Sequence, residues 1–63
     1  MTILEAQTLK EGSRIRYTDD KGSACATVLE IDDLSMFVQF DDRARPDHIF
    51  FTSRPWLDHI TFA

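Results

Sequence analysis

Sixty-three residues make one small domain, which buries only about 60% of the surface its unfolded chain exposes; little protein is left for a deep catalytic pocket. With 43% hydrophobic and 29% charged residues the composition excludes a disordered chain, and a net charge of −4 sets the electrostatics of phosphate binding against it. The single cysteine, Cys25, excludes a disulfide scaffold and a zinc site of several thiolates.

The segment Met1-Thr2-Ile3-Leu4-Glu5 lacks a basic region followed by an apolar run, so it does not read as a secretory leader. No apolar stretch is long enough to cross a membrane. The expectation is a cytoplasmic domain over residues 1–63, with residues 1–9 as an N-terminal arm. Thr2 and Glu5 have the spacing of a capping box, which predicts one helical turn. The alternative is an extended arm whose Ile3, Leu4 and Leu9 cover one end of the core.

Lys10 to Ser13 reads as a turn, and Arg14-Ile15-Arg16-Tyr17 alternates polar and apolar as a half-buried strand does. Asp19-Asp20-Lys21-Gly22 predicts a hairpin, with Gly22 supplying the positive φ that closes it. The second strand covers about 23–31. Ala26 and Val28 share one parity while Leu29 and Ile31 share the other, so a bulge near Leu29 is expected to bring both sets to the core. Asp32 to Ser35 turns the chain again. Met36, Val38 and Phe40 then share one face of a third strand, and Asp41 to Pro46 forms a polar loop. Pro46 opens a fourth strand over 48–51, since it cannot donate to a central ladder. Ser53-Arg54-Pro55-Trp56 reads as a tight 3₁₀-type turn, and Leu57 to Phe62 as a last strand. Five short strands in so few residues point to an all-β, small five-stranded closed barrel, which alone hides its edges.

The order of these pieces resembles the Tudor family, within the wider class of Src-homology-type (SH3-like) barrels. The resemblance rests on Leu9 with Gly12, Ile15 to Tyr17, Ala26-Thr27-Val28 with Ile31-Asp32, Val38-Gln39-Phe40-Asp41, and the closing Leu57-Asp58-His59-Ile60. It covers roughly residues 9–60 and is more specific for fold than for function. It implies an aromatic cage that holds a methylated cation by cation–π attraction. Carried over, Tyr17 and Phe40 are two partial cage walls. The other two cage positions fall near Ala24 and Arg43, and Arg43 would repel a cationic ligand.

Candidate chemistry is sparse. His48 and His59 are the only histidines, and a metal site needs three or four converging ligands. Cys25 sits between two alanines with no base beside it in sequence. The two glycines belong to turns, which leaves no phosphate-cradling loop. Asp19-Asp20, Asp32-Asp33 and Asp41-Asp42 lack calcium-loop spacing. No catalytic residue, metal or cofactor is therefore expected.

The surplus of rings is the informative feature. Phe37 and Phe50 have parities opposite to Val38 and Phe51, so they are expected on the surface. Phe37, Arg43, Arg45, Phe50, Arg54 and Trp56 combine the residue types enriched at binding hot spots. The expected function is a non-catalytic module that binds a protein partner through this aromatic and Arg surface, in a small accessory protein of a bacterium or phage. The alternative is a nucleic-acid accessory factor using Arg14, Arg16, Arg43, Arg45 and Arg54 with the same rings. The expected assembly is a monomer or a weak homodimer through a strand edge or Phe37.

Overall fold

Thr2 decides the course of the arm. In the computed structural model its Oγ1 accepts from the Glu5 backbone N–H at 3.1 Å, and Glu5 Oε1 accepts from the Thr2 N–H at 2.9 Å. That closed capping box starts a one-turn helix, α1 (Ile3–Ala6). The arm is therefore helical, not extended, and only Ala6 and Leu9 of it are fully buried. The Met1 ammonium donates to the Leu57 carbonyl at 2.9 Å, and Gln7 Nε2 to the Asp33 carbonyl at 3.3 Å. The structure describes residues 1–63, except for the side chain of Arg54.

Five antiparallel strands follow: β1 (Arg14–Asp19), β2 (Gly22–Ile31), β3 (Ser35–Phe40), β4 (Asp47–Phe50) and β5 (Ile60–Phe62). They form one sheet in the order β4-β3-β2-β1-β5. Asp19 pairs with Gly22 across a two-residue connection. Gly22 takes φ 136°, a conformation L side chains avoid, and Asp19 Oδ1 accepts from the Lys21 N–H at 2.8 Å. The bulge expected in β2 is present. Val28 pairs with Val38, but Glu30 pairs with Phe37, so Leu29 is the extra residue. Ala26 and Val28 on one side of it reach the core and Ile31 on the other packs against it, but Leu29, expected to reach the core with Ile31, is 40% exposed because it is the unpaired bulge residue. The backbone of Val28 is held from its other side, by Gly12 N–H and Ser13 C=O, each at 2.8 Å.

Between β4 and β5 lies the second helical turn, α2 (Arg54–Leu57). The Ser53 carbonyl accepts from both Trp56 N–H at 3.0 Å and Leu57 N–H at 3.3 Å, so the expected 3₁₀ turn carries an α-type bond as well. The last strand begins at Ile60, later than expected, because Leu57 ends α2 and His59 N–H still bonds back to the Trp56 carbonyl. Ile15, Val28, Met36, Val38, Ile49, Phe51 and Ile60 form the centre of the core. Closure is where the structure departs from the sequence reading. Among the described residues no ladder joins β4 to β5, and the sheet keeps two edges. The two strands are only four and three residues long, and α2 with its flanking turns separates them in the chain.

Candidate aromatic cleft and outer ring face

Register brings the first site together. Tyr17 on β1 lies opposite Ala24 on β2 and Ile60 on β5, while Phe40 ends β3 opposite Ala26. Tyr17 meets Phe40 edge-on, with centroids 6.3 Å apart, and meets the Trp56 ring of α2 at 5.3 Å. His59 packs on another side of Tyr17 at 5.5 Å. Tyr17, Phe40 and Trp56 border a cleft of about 310 Å³. Gly22, Ser23 and Ala24 also line it and add little side-chain bulk, and Asp19, Lys21, Asp42 and Arg43 complete the lining. The four positions that the Tudor resemblance marks, Tyr17, Ala24, Phe40 and Arg43, all line this cleft, and Trp56 joins them from α2. Arg43 places its guanidinium 5.6 Å from the centre of the Phe40 ring. Its Nη1 also donates to Asp47 Oδ2 at 3.3 Å.

The second site lies on the opposite side of the sheet. Alternation along β3 turns Met36, Val38 and Phe40 inward and Phe37 outward. On β4 it turns Ile49 inward and His48 and Phe50 outward. Phe37 faces His48 across the β3–β4 ladder. The Phe37 and His48 rings stack at 4.1 Å and 11°, and the Phe50 ring lies 4.3 Å from the same His48 ring. Phe37 remains 40% exposed and Phe50 52%. In an antiparallel pair with one solvated face, the outward positions are ordinarily polar.

A buried serine underlies this ring row. Ser35 is 7% exposed, and a hydrogen bond of 2.8 Å joins its Oγ to His48 Nε2. A serine within reach of an imidazole is the start of a nucleophile–base pair. Here the surroundings oppose that chemistry. Asp32 Oδ1 accepts from the N–H groups of Leu34 and Ser35, both at 2.8 Å, and lies 3.4 Å from Ser35 Oγ. The backbone donors that would hold an oxyanion already hold a carboxylate. Those bonds, that of Leu34 first, keep the Asp32 carboxyl below its usual range. The group is a lock on the β2–β3 turn. Sequence spacing gave no sign of it, because Ser35 and His48 are 13 residues apart and meet only through the β3–β4 register.

The six residues grouped in sequence therefore divide between two surfaces. Phe37 and Phe50 belong to the outer ring face, and Arg43 and Trp56 to the cleft. Arg45 is exposed in the β3–β4 loop. The side chain of Arg54 lies outside the described residues. Among the arginines named for nucleic-acid contact, Arg14 is clamped by Asp41 through two bonds of 2.9 and 2.7 Å. That clamp lowers the Asp41 carboxyl and raises the Arg14 guanidinium. Among the described residues, no group of three His, Cys, Asp or Glu side chains converges as metal ligands would. No described helix is long and apolar enough to cross a membrane. Neither a family model, nor a curated protein, nor a solved structure matches this chain.

Proposed function

We propose that this chain is a non-catalytic protein-interaction module that grips a short segment of its partner in the cleft of Tyr17, Phe40 and Trp56. The observation that carries the reading is the convergence of three rings from β1, β3 and α2 on one cleft beside small residues of β2. Concave, ring-lined sites with a few polar groups at the rim are where ligands bind. Two acidic and two basic side chains, Asp19, Asp42, Lys21 and Arg43, line the same cleft. They would fix the orientation of a bound segment more than its net affinity.

The strand order β4-β3-β2-β1-β5 and the helical turn before β5 support the Tudor-like, Src-homology-type reading of the fold. Arg43 speaks against a methylated cation as the ligand. Its own guanidinium already lies over Phe40, so a second cation would meet like charge there. Nucleic acid is the weaker alternative, since Arg14 and Arg43 are both engaged by carboxylates.

The test is partner capture from native extract with the parent chain and with Tyr17→Ser. Trp56 fluorescence in urea first confirms that the variant is folded. Loss of a specific captured protein with Tyr17→Ser is the expected result. The same protein recovered equally by both chains would overturn the assignment of the cleft.

A further inference from the structure

Of the three ring-bearing walls of the cleft, α2 is the least anchored. β1 and β3, which carry Tyr17 and Phe40, each lie between two partner strands, whereas α2 stands outside the sheet. Among the described residues its hydrogen bonds are local, with one exception. The Trp56 and Leu57 N–H groups donate to the Ser53 carbonyl, and His59 N–H donates to the Trp56 carbonyl. The exception is the Leu57 carbonyl, which accepts from the Met1 nitrogen at 2.9 Å. The last carbonyls of a helix have no partner within it, so an outside donor is what fixes them. The Leu57 side chain is buried, but Trp56 beside it is only half-buried and rests on Tyr17.

Met1 reaches α2 because the arm is folded back on itself. Met1 packs half-buried against the core, Ala6 and Leu9 are fully buried, and Gln7 Nε2 ties the far end of α1 to the Asp33 carbonyl. Between these points stands a single helical turn, with Ala6 N–H bonded to the Thr2 carbonyl at 2.9 Å and Gln7 N–H to that of Ile3 at 3.0 Å. One turn fixes several backbone dihedrals for very few bonds, so it does not form unaided. The reciprocal bonds of Thr2 and Glu5 hold it closed. Both residues are exposed, so the capping box acts through these bonds and not through packing.

We propose that Thr2 and Glu5 are positioning residues for the cleft: their capping box clasps Met1 onto the end of α2 and so sets the Trp56 ring against Tyr17. The functional weight of the clasp rests on the cleft being the binding site. With the box open, the first turn frays, the Leu57 carbonyl loses its donor, and Trp56 draws away from Tyr17. The arm thus governs the width of the cleft from outside it, since neither Met1, Thr2 nor Glu5 lines it.

The test reads Trp56, the single tryptophan, in the full chain with no partner present, so its outcome is separate from that of partner capture. Thr2→Ala with Glu5→Ala in one chain should raise acrylamide quenching of Trp56, shift its emission to the red and weaken the near-ultraviolet circular dichroism of the Tyr17–Trp56 pair. The far-ultraviolet spectrum should be retained. Thr2→Ala alone should move the same signals to a smaller degree, and it decides the matter if the double variant does not fold. Thr2→Ser with Glu5→Gln keeps both reciprocal bonds and should keep the parent signals. Ile49→Val, which weakens the core by an amount comparable to the loss of a cap, should leave them unchanged. Parent-like quenching and dichroism in the double alanine variant would overturn the proposal. So would loss of these signals in the Ser and Gln variant, or an equal change on Ile49→Val.

Discussion

Adjacent residues of β4 provide a direct test of its register. Ile49 is 1% exposed and packs in the core, while Phe50 is half exposed on the other face. Ile49→Ala removes methyl and methylene groups that have no water to replace them, which costs about 2–5 kcal/mol. A domain of this length is held by only about 3–9 kcal/mol in total, from ~0.05–0.15 kcal/mol per residue. Ile49→Ala should therefore lower the melting temperature by about 8 °C or more, at 4–8 °C per kcal/mol for a chain of this size. Phe50→Ala loses part of a ring's burial and its contact with His48, worth about 1 kcal/mol. Urea titrations followed by Trp56 fluorescence measure both. A Phe50→Ala variant that is destabilised as much as Ile49→Ala would refute the pairing of Met36 with Ile49, because a slip of one residue exchanges the two faces.

Other outcomes follow from the turns and charges. Gly22→Ala should destabilise by about 1 kcal/mol, although open space surrounds the position, because its φ of 136° strains any side chain; thermal melts read this. Glu5, Asp32 and Asp41 all have carboxyl groups held below their ordinary values, by the Thr2 N–H, by the Leu34 and Ser35 N–H groups, and by Arg14 respectively. Their contribution to stability is complete above the ordinary carboxyl values of 3.8 to 4.5 and is lost as pH falls through the lowered ones. Urea midpoints should be flat through neutral pH and drop below about pH 4. Arg14→Ala should leave the urea midpoint nearly unchanged, since both partners of its ion pair face water; a clear loss would mean the clamp holds the β3–β4 loop against β1. Labelled single-stranded oligonucleotides should show no anisotropy change at low salt, where any phosphate-driven binding would be strongest.

The sequence was most legible where one local rule acts alone. Alternation in Met36 to Phe40 assigned the inward and outward faces of β3, and the parity break in β2 located the bulge at Leu29. The capping box left two courses for the arm, and only the closed bonds between Thr2 and Glu5 decided between them. Closure was not legible. It depends on whether β4 and β5 reach one another, and the three-residue length of β5 follows from how α2 ends. The candidate sites were half legible. Composition marked Phe37, Arg43, Phe50 and Trp56, but proximity in sequence merged two surfaces that β3 separates. The role of His48 between two phenylalanine rings required the cross-strand register, which no single segment carries.

The extra residue in β2 has a mechanical meaning. Residues 22–27 of that strand are zipped to β1, residues 26–31 to β3, and the spare position at Leu29 falls inside the second stretch alone. A change of register at the far end of the β2–β3 pair can be taken up there without moving the β1–β2 ladder. The cleft and the outer ring face hang on different halves of this strand, so a lineage, or an engineer, can rebuild the β1–β2 connection without retuning the far side of the molecule.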